Sequence, residues 1–181
     1  MKFNLLIFTG FFFFFSCSSS KRDIDSIELV SYNYVMNSEV LEMRCYLYTI
    51  INSDRNALFF QWKKHLPNEV RFSKARIEEP LIDSIIVAAE RQKKYSNNII
   101  SLYDGPLMNI KINHPDGSFE LIDFELGNVL FTYLEALYDK DRTESKDSIN
   151  INRKKQQMLN LVWEKDSSIY KGKMTRPFIP S

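Results

Sequence analysis

The stretch Val40-Leu-Glu-Met-Arg-Cys-Tyr-Leu-Tyr-Thr-Ile-Ile51 decides the fold, because its side chains alternate in polarity along most of its length. An extended chain places one set on one side, namely Leu41, Met43, Cys45 and Leu47. The opposite side then carries Glu42, Arg44, Tyr46 and Tyr48. A period of two residues predicts a half-buried antiparallel strand.

Three neighbouring runs extend this strand into a sheet. They are rich in β-branched and aromatic residues, and they cover Ile27–Met36, Ala57–Lys63 and a shorter run from Val70 to Ser73. Turn-forming residues separate them, including the loop from Asn52 to Asn56. Because the connections are short, the runs predict a β-meander.

A second hairpin is predicted farther along the chain. Leu107–Asn113 and Phe119–Glu125 both read as strands, and His114-Pro-Asp-Gly117 joins them. Proline, aspartate and glycine in this order favour a type I turn followed by a glycine bulge.

Three amphipathic segments predict helices at Pro80–Lys94, Gly127–Asp139 and Arg153–Ser168. The fold class that follows is α+β. We expect a mostly antiparallel sheet of five or six strands with two or three helices packed on one face.

Composition is that of an ordinary globular chain. Of the 181 residues 44% are hydrophobic and 26% are charged, which is compatible with one buried core. We therefore predict a single domain over residues 27–170 and a tail over residues 171–181. The net charge of +1 gives no support for a nucleic-acid partner.

The first residues form a processing signal rather than a folded element. Lys2 gives a basic start, and Leu5–Phe15 is an apolar run that is shorter than the roughly 20 residues a spanning helix needs. Phe14-Phe-Ser-Cys17 resembles the lipobox of bacterial lipoproteins, with Cys17 at the lipidated position and Ser16 as the small residue before it. Phenylalanine replaces the usual leucine and one small residue, and serines follow the cysteine, as in lipoproteins of the Bacteroides type.

This resemblance implies a signal peptide over residues 1–16 and a lipidated cysteine with a polar tether over residues 17–26. It also implies a protein of the bacterial cell envelope, held at a membrane by lipid on Cys17, with its domain in the periplasm or at the cell surface. Cys45 is then the only free thiol, and its place in an alternating strand predicts a small buried residue rather than a nucleophile.

Tyr46 and Tyr48 are the most informative candidates for a binding surface. On the expected strand they lie beside Glu42 and Arg44 on the polar side, and exposed aromatic residues among charges are typical of surfaces that bind protein or sugar. They are equally compatible with cross-strand pairs that stabilise the sheet.

The candidates for catalysis are weaker. His114 with Asp116 would suit a metal or a shared proton, but both are also ordinary turn residues, and His65 reads as a surface histidine. Asp123 and Glu125 on one strand face, or Asp104 in a turn, would be the carboxylates of a hydrolase. The sequence contains no nucleophile elbow, zinc-type motif or phosphate loop, and we predict neither a cofactor nor a metal site.

Three functions remain open from the sequence. The first, which we favour, is a non-catalytic binding module for an envelope protein or a glycan. The second is a periplasmic inhibitor or immunity-type protein. The third is a carboxylate-based hydrolase.

Overall fold

A computed structural model describes residues 23–37, 39–62, 70–95, 107–124, 143–144, 148–170 and 173–177. Most of these residues belong to one sheet, in which nearly all neighbouring strands are antiparallel, and to two helices. The α+β class predicted from the sequence is confirmed.

The strands and helices follow the predicted runs closely. The six longer strands are β1 (Ser26–Asn37), β2 (Val40–Asn52), β3 (Asn56–Trp62), β4 (Val70–Arg76), β5 (Leu107–Asn113) and β6 (Phe119–Phe124). Two strands of two residues each are β7 (Thr143–Glu144) and β8 (Met174–Thr175). The helices are α1 (Glu79–Tyr95) and α2 (Ser148–Ile169).

The sheet has the order β6-β5-β1-β2-β3-β4-β7, and β8 pairs with β2 away from this path. Strands β1 to β4 form the predicted meander, and β5–β6 form the second hairpin. The β1–β2 pair is the longest, so its outer end, described for residues 33–37 and 39–46, extends past the residues that pair with β3 and β5.

The two described helices lie on opposite faces of the sheet. The core under α1 contains Ile27, Leu29 and Phe59, whereas the core under α2 contains residues of the other parity, such as Val30 and Phe60. The expectation that the helices pack on one face is therefore wrong for α1 and α2. The physical reason is that β1 and β3 carry large apolar side chains at both parities, so both of their faces must be covered.

Helix α1 forms where the spacing of apolar residues predicts it. Its buried stripe contains Ile85, Ile86 and Ala89, all of which pack in the first core. Glu79 lies in the first turn, where a negative charge is favourable beside the positive end of the helix dipole.

The turn of the second hairpin is confirmed. The Gly117 amide donates to the His114 carbonyl oxygen at 3.0 Å, and the His114 amide donates to the Ser118 carbonyl oxygen at 2.9 Å. Gly117 has a φ of 84°, the left-handed conformation that a glycine bulge requires.

Other predicted boundaries shift. Helix α2 begins five residues before the predicted Arg153, at Ser148, and the expected tail contributes β8 to the sheet. The predicted helix Gly127–Asp139, like the signal peptide and Cys17, lies outside the described residues. None of the described helices is long and apolar enough to cross a membrane.

Candidate functional site

A β-bulge at Tyr46 determines which residues of β2 reach the surface. Ser31 pairs with Leu47, but the next residue of β1, Tyr32, pairs with Cys45, so Tyr46 is an extra residue in β2. One extra residue inverts the alternation of all later side chains. As a result Cys45 and Tyr48 contact the same core, under α2, although an unbroken strand would place them on opposite faces.

Tyr48 is consequently an internal residue. It is 0% exposed, and its hydroxyl donates to Glu28 Oε2 at 2.6 Å. Burial, followed by the negative charge of Glu28, raises the pKa of Tyr48 far above its usual value. The assignment of Tyr48 to an exposed binding surface is therefore wrong, because the bulge turns its ring into the core.

The other three members of the predicted surface lie before or at the bulge. Arg44 Nη2 is 3.4 Å from Glu42 Oε2, and the two side chains are 47% and 38% exposed. Tyr46 itself is half-buried. The outer end of the β1–β2 hairpin thus presents an aromatic ring and an exposed ion pair, and we call Glu42, Arg44 and Tyr46 the hairpin-end surface.

Glu28 is the centre of a first internal polar network. Besides the bond from Tyr48, its Oε1 accepts from Lys111 Nζ at 3.1 Å and from Asn113 Nδ2 at 2.9 Å. The Glu28 and Lys111 side chains are only 9% and 15% exposed. Since each of its oxygens has a donor, the buried carboxylate is compensated, and it fixes β1 against β2 and β5.

Asp166 of α2 is the centre of a second network. Its Oδ2 accepts from the hydroxyl of Tyr32 at 3.0 Å and from that of Tyr34 at 2.7 Å. Burial, followed by the charge of Asp166, raises the pKa of both tyrosines well above the usual range, so both hydroxyls remain donors. This network joins the last turns of α2 to β1.

Lys165 carries the second network toward the surface. Its Nζ lies 3.4 Å from Asp166 Oδ1, donates to Asn109 Oδ1 at 3.0 Å and contacts Asp123 Oδ1. Asn109 in turn donates to the Tyr32 hydroxyl at 2.9 Å. Asp123, a candidate hydrolase carboxylate, is therefore engaged with an ammonium group, whereas Asp104 and Glu125 lie outside the described residues.

Neither network was found from the sequence, yet both leave a signal there. Asp166 is four residues after Val162 and eight after Met158, so it continues the buried stripe of α2 at helical spacing. Glu28 is two residues before Val30, and alternation alone places it on the same buried face.

The two candidate residues of the hairpin turn, His114 and Asp116, contact other residues of the same hairpin. His114 Nε2 is 3.6 Å from Glu120 Oε1, and the Asp116 carboxylate accepts from the Ser118 amide at 2.9 Å. A bond from the Ser118 hydroxyl, followed by this bond from the amide, lowers the pKa of Asp116. Among the described residues no group of three histidine, cysteine or acidic side chains is placed to hold a metal, and His65 lies outside them.

Cys45 is partly buried and packs against the core under α2, and its thiol donates to the Leu47 carbonyl oxygen at 3.5 Å. Burial raises the pKa of this thiol to about 12. A thiol that keeps its proton at neutral pH is a poor nucleophile.

Comparison with known proteins gives no relative from which a role could be transferred: no protein-family model, curated protein or solved structure matches the chain.

Proposed function

We propose that this protein is a bacterial cell-envelope lipoprotein whose folded domain is a non-catalytic binding module for a protein or a glycan. Lipid on Cys17 would hold the chain at a membrane, and residues 18–25 would connect the anchor to β1, which begins at Ser26. The short apolar run before Cys17 supports this part of the proposal, since it is too brief for a spanning helix and ends at a relaxed lipobox.

The hairpin-end surface is the observation that carries the binding role. Arg44 and Glu42 are paired with each other and remain well exposed, and Tyr46 lies beside them at the bulge. Tyrosine and arginine are enriched in protein interfaces, where a flat ring or a guanidinium group supplies contact area and directed hydrogen bonds. β-Bulges also tend to lie at functional positions, because they aim a side chain out of the regular sheet.

The two internal carboxylates, Glu28 and Asp166, are structural groups rather than candidates for hydrolysis. Glu28 and Asp166 are each held by at least two donors, and both are almost fully enclosed. A carboxylate that protonates a glycosidic oxygen or activates water must reach the substrate. Asp166 instead joins α2 to β1, and Glu28 fixes β1 against β2 and β5.

Photo-crosslinking in living cells tests the binding role. Arg44 in the full-length chain is replaced by a photoreactive amino acid, and Arg153, an exposed residue of α2, is replaced in a matched control. We expect position 44 to give a discrete adduct and position 153 to give none. A protein adduct would identify a partner, and an adduct with an enzyme in one-to-one ratio would place the chain in the inhibitor class. Equal adducts at both positions, or none at either, would refute the hairpin-end surface.

A further inference from the structure

The C-terminal residues Lys173–Pro177 lie against the edge of β2 next to the hairpin-end surface; we call them the strap. Met174 pairs with Leu41 and Thr175 pairs with Glu42, both in parallel orientation. The Leu41 amide donates to the Lys173 carbonyl oxygen at 3.0 Å. All other strand pairs in the described sheet are antiparallel.

The strap occupies a part of β2 that β3 does not reach. Strand β3 pairs with β2 only from Leu47 to Ile51. At Leu41 and Glu42 the same edge of β2 is instead completed by two residues that lie more than 130 positions later in the chain. This edge therefore accepts an extended segment from a distant part of the sequence, which is the property of a strand-addition site.

In the described part of the chain, the side-chain contacts between the strap and α2 are long or exposed, although Pro177 itself is buried. Arg176 Nη2 is 3.6 Å from Glu164 Oε1, with both side chains more than half exposed, and its guanidinium carbon is 5.7 Å from the centre of the Trp163 ring. Gln156 Nε2 donates to the Pro177 carbonyl oxygen at a long 3.4 Å. Exposed ion pairs contribute little to stability and the ladder of the strap is only two residues long, so we expect the strap to open below the free energy of global unfolding.

We propose that this edge of β2 is a strand-addition site for an extended peptide segment of a protein partner, and that the strap is its internal, displaceable occupant. The inference rests on the proposed binding function and narrows its partner to a protein. The strap shows the chemistry that the site accepts: an apolar residue opposite Leu41 and, two positions later, a basic residue beside Trp163 and Glu164.

A synthetic peptide with the sequence of residues 172–178 tests the site in trans. We expect it to bind the chain shortened after Gly172, and to bind the full-length chain at least about tenfold more weakly, since the tethered strap competes at high effective concentration. A peptide of the same composition in scrambled order is the control. Failure to bind the folded shortened chain, or equal binding to both chains, would overturn the proposal.

Backbone methylation separates strand pairing from side-chain docking. Because the Lys173 carbonyl points at β2, the Thr175 N–H points there too, whereas the Met174 N–H points away. The peptide methylated on the Thr175 nitrogen should lose binding, and the one methylated on the Met174 nitrogen should keep it. Equal affinity of the two methylated peptides would refute backbone pairing between the peptide and β2.

A full-length variant tests whether the strap can be displaced even if the shortened chain does not fold. Arg176→Ala removes the contacts with Glu164 and Trp163, and Arg153→Ala is the matched surface control. Arg176→Ala should speed hydrogen exchange at the Leu41 amide about tenfold and tighten peptide binding, without a matching change at the Ile50 amide in the core. Unchanged exchange at Leu41 would contradict a displaceable strap.

The proposed function and this inference can fail separately. Peptide binding without any adduct at position 44 in cells would keep the strand-addition site and refute the hairpin-end surface as the natural binding site. A protein adduct at position 44 without peptide binding would do the reverse.

Discussion

The Tyr48 hydroxyl donates to Glu28 Oε2 at 2.6 Å inside the sheet face that α2 covers. The bulge at Tyr46 explains the position of Tyr48, because it places this ring on the same covered face as Cys45 although the two residues are three positions apart. One inserted residue thus separates a buried polar network from the exposed hairpin-end surface on the same strand.

Removing the charge of Glu28 should destabilise the fold clearly. Glu28→Gln leaves the Lys111 ammonium, which is only 15% exposed, without its anion, and we expect a loss of about 2 kcal/mol or more in the free energy of unfolding. Glu120→Gln is the matched control: Glu120 pairs with Lys93 at 2.8 Å, but the two side chains are 36% and 59% exposed, so its loss should stay below about 1 kcal/mol. Urea unfolding measures both, and equal losses would contradict the enclosed network.

The thiol of Cys45 should make stability fall at alkaline pH. Its folded pKa of about 12 lies above the unfolded value of 9.0, so between these values the folded chain binds more protons than the unfolded chain. The contribution of the protonated thiol to the free energy of unfolding is fully present below the unfolded pKa of 9.0. It is lost as the pH rises above that value, by at most about 1.4 kcal/mol per pH unit.

Cys45→Ala removes this decline, and the tyrosines and Lys155 titrate in both proteins. The free energy of unfolding, measured with urea at several alkaline pH values, should therefore fall more steeply with pH for the wild type than for Cys45→Ala. Parallel pH profiles would show that the thiol is not protected by the fold.

The loss of stability caused by a substitution at Gly117 should depend on the backbone conformation alone. A Cβ added there meets no atom within 4 Å, so the positive φ is the only strain. We expect Gly117→Val to cost about 1 kcal/mol or somewhat more, and Gly117→Asn to cost less, because asparagine adopts the left-handed region more readily. Thermal unfolding should rank wild type, Asn and Val in that order, and a Val variant as stable as wild type would disprove the bulge.

The anchor is tested with the two cysteines as a matched pair. Cys17→Ala should abolish labelling of the protein by a fatty-acid probe in cells and release it from membranes, whereas Cys45→Ala should change neither. Labelling that persists in Cys17→Ala, or is lost in Cys45→Ala, would place the lipid elsewhere.

Local signals in the sequence predicted the elements of the fold well. The alternation in β5 and β6 and the His114–Gly117 turn predicted that hairpin, and the apolar stripe of α1 predicted that helix to within one residue at each end. Both signals act over a few residues, which is why they can be read without knowledge of the tertiary structure.

The arrangement of the site was harder to predict. No residue type marks the extra position at Tyr46, so an unbroken alternation placed Tyr48 on the wrong face. Asp166 was missed because a charged residue in a helix usually faces solvent. Its burial is explained by its partners Tyr32 and Tyr34, which lie 132 or more positions away in the chain.

The measurement that tests the binding role most directly is co-purification of the partner captured through position 44, using full-length variants that remain folded. Arg44→Glu should reduce the yield of partner about tenfold or more, because it reverses an exposed charge at the hairpin-end surface. Tyr48→Phe should leave the yield unchanged, because it removes only the internal bond to Glu28. A partner yield that survives Arg44→Glu, or that falls with a folded Tyr48→Phe, would contradict this account.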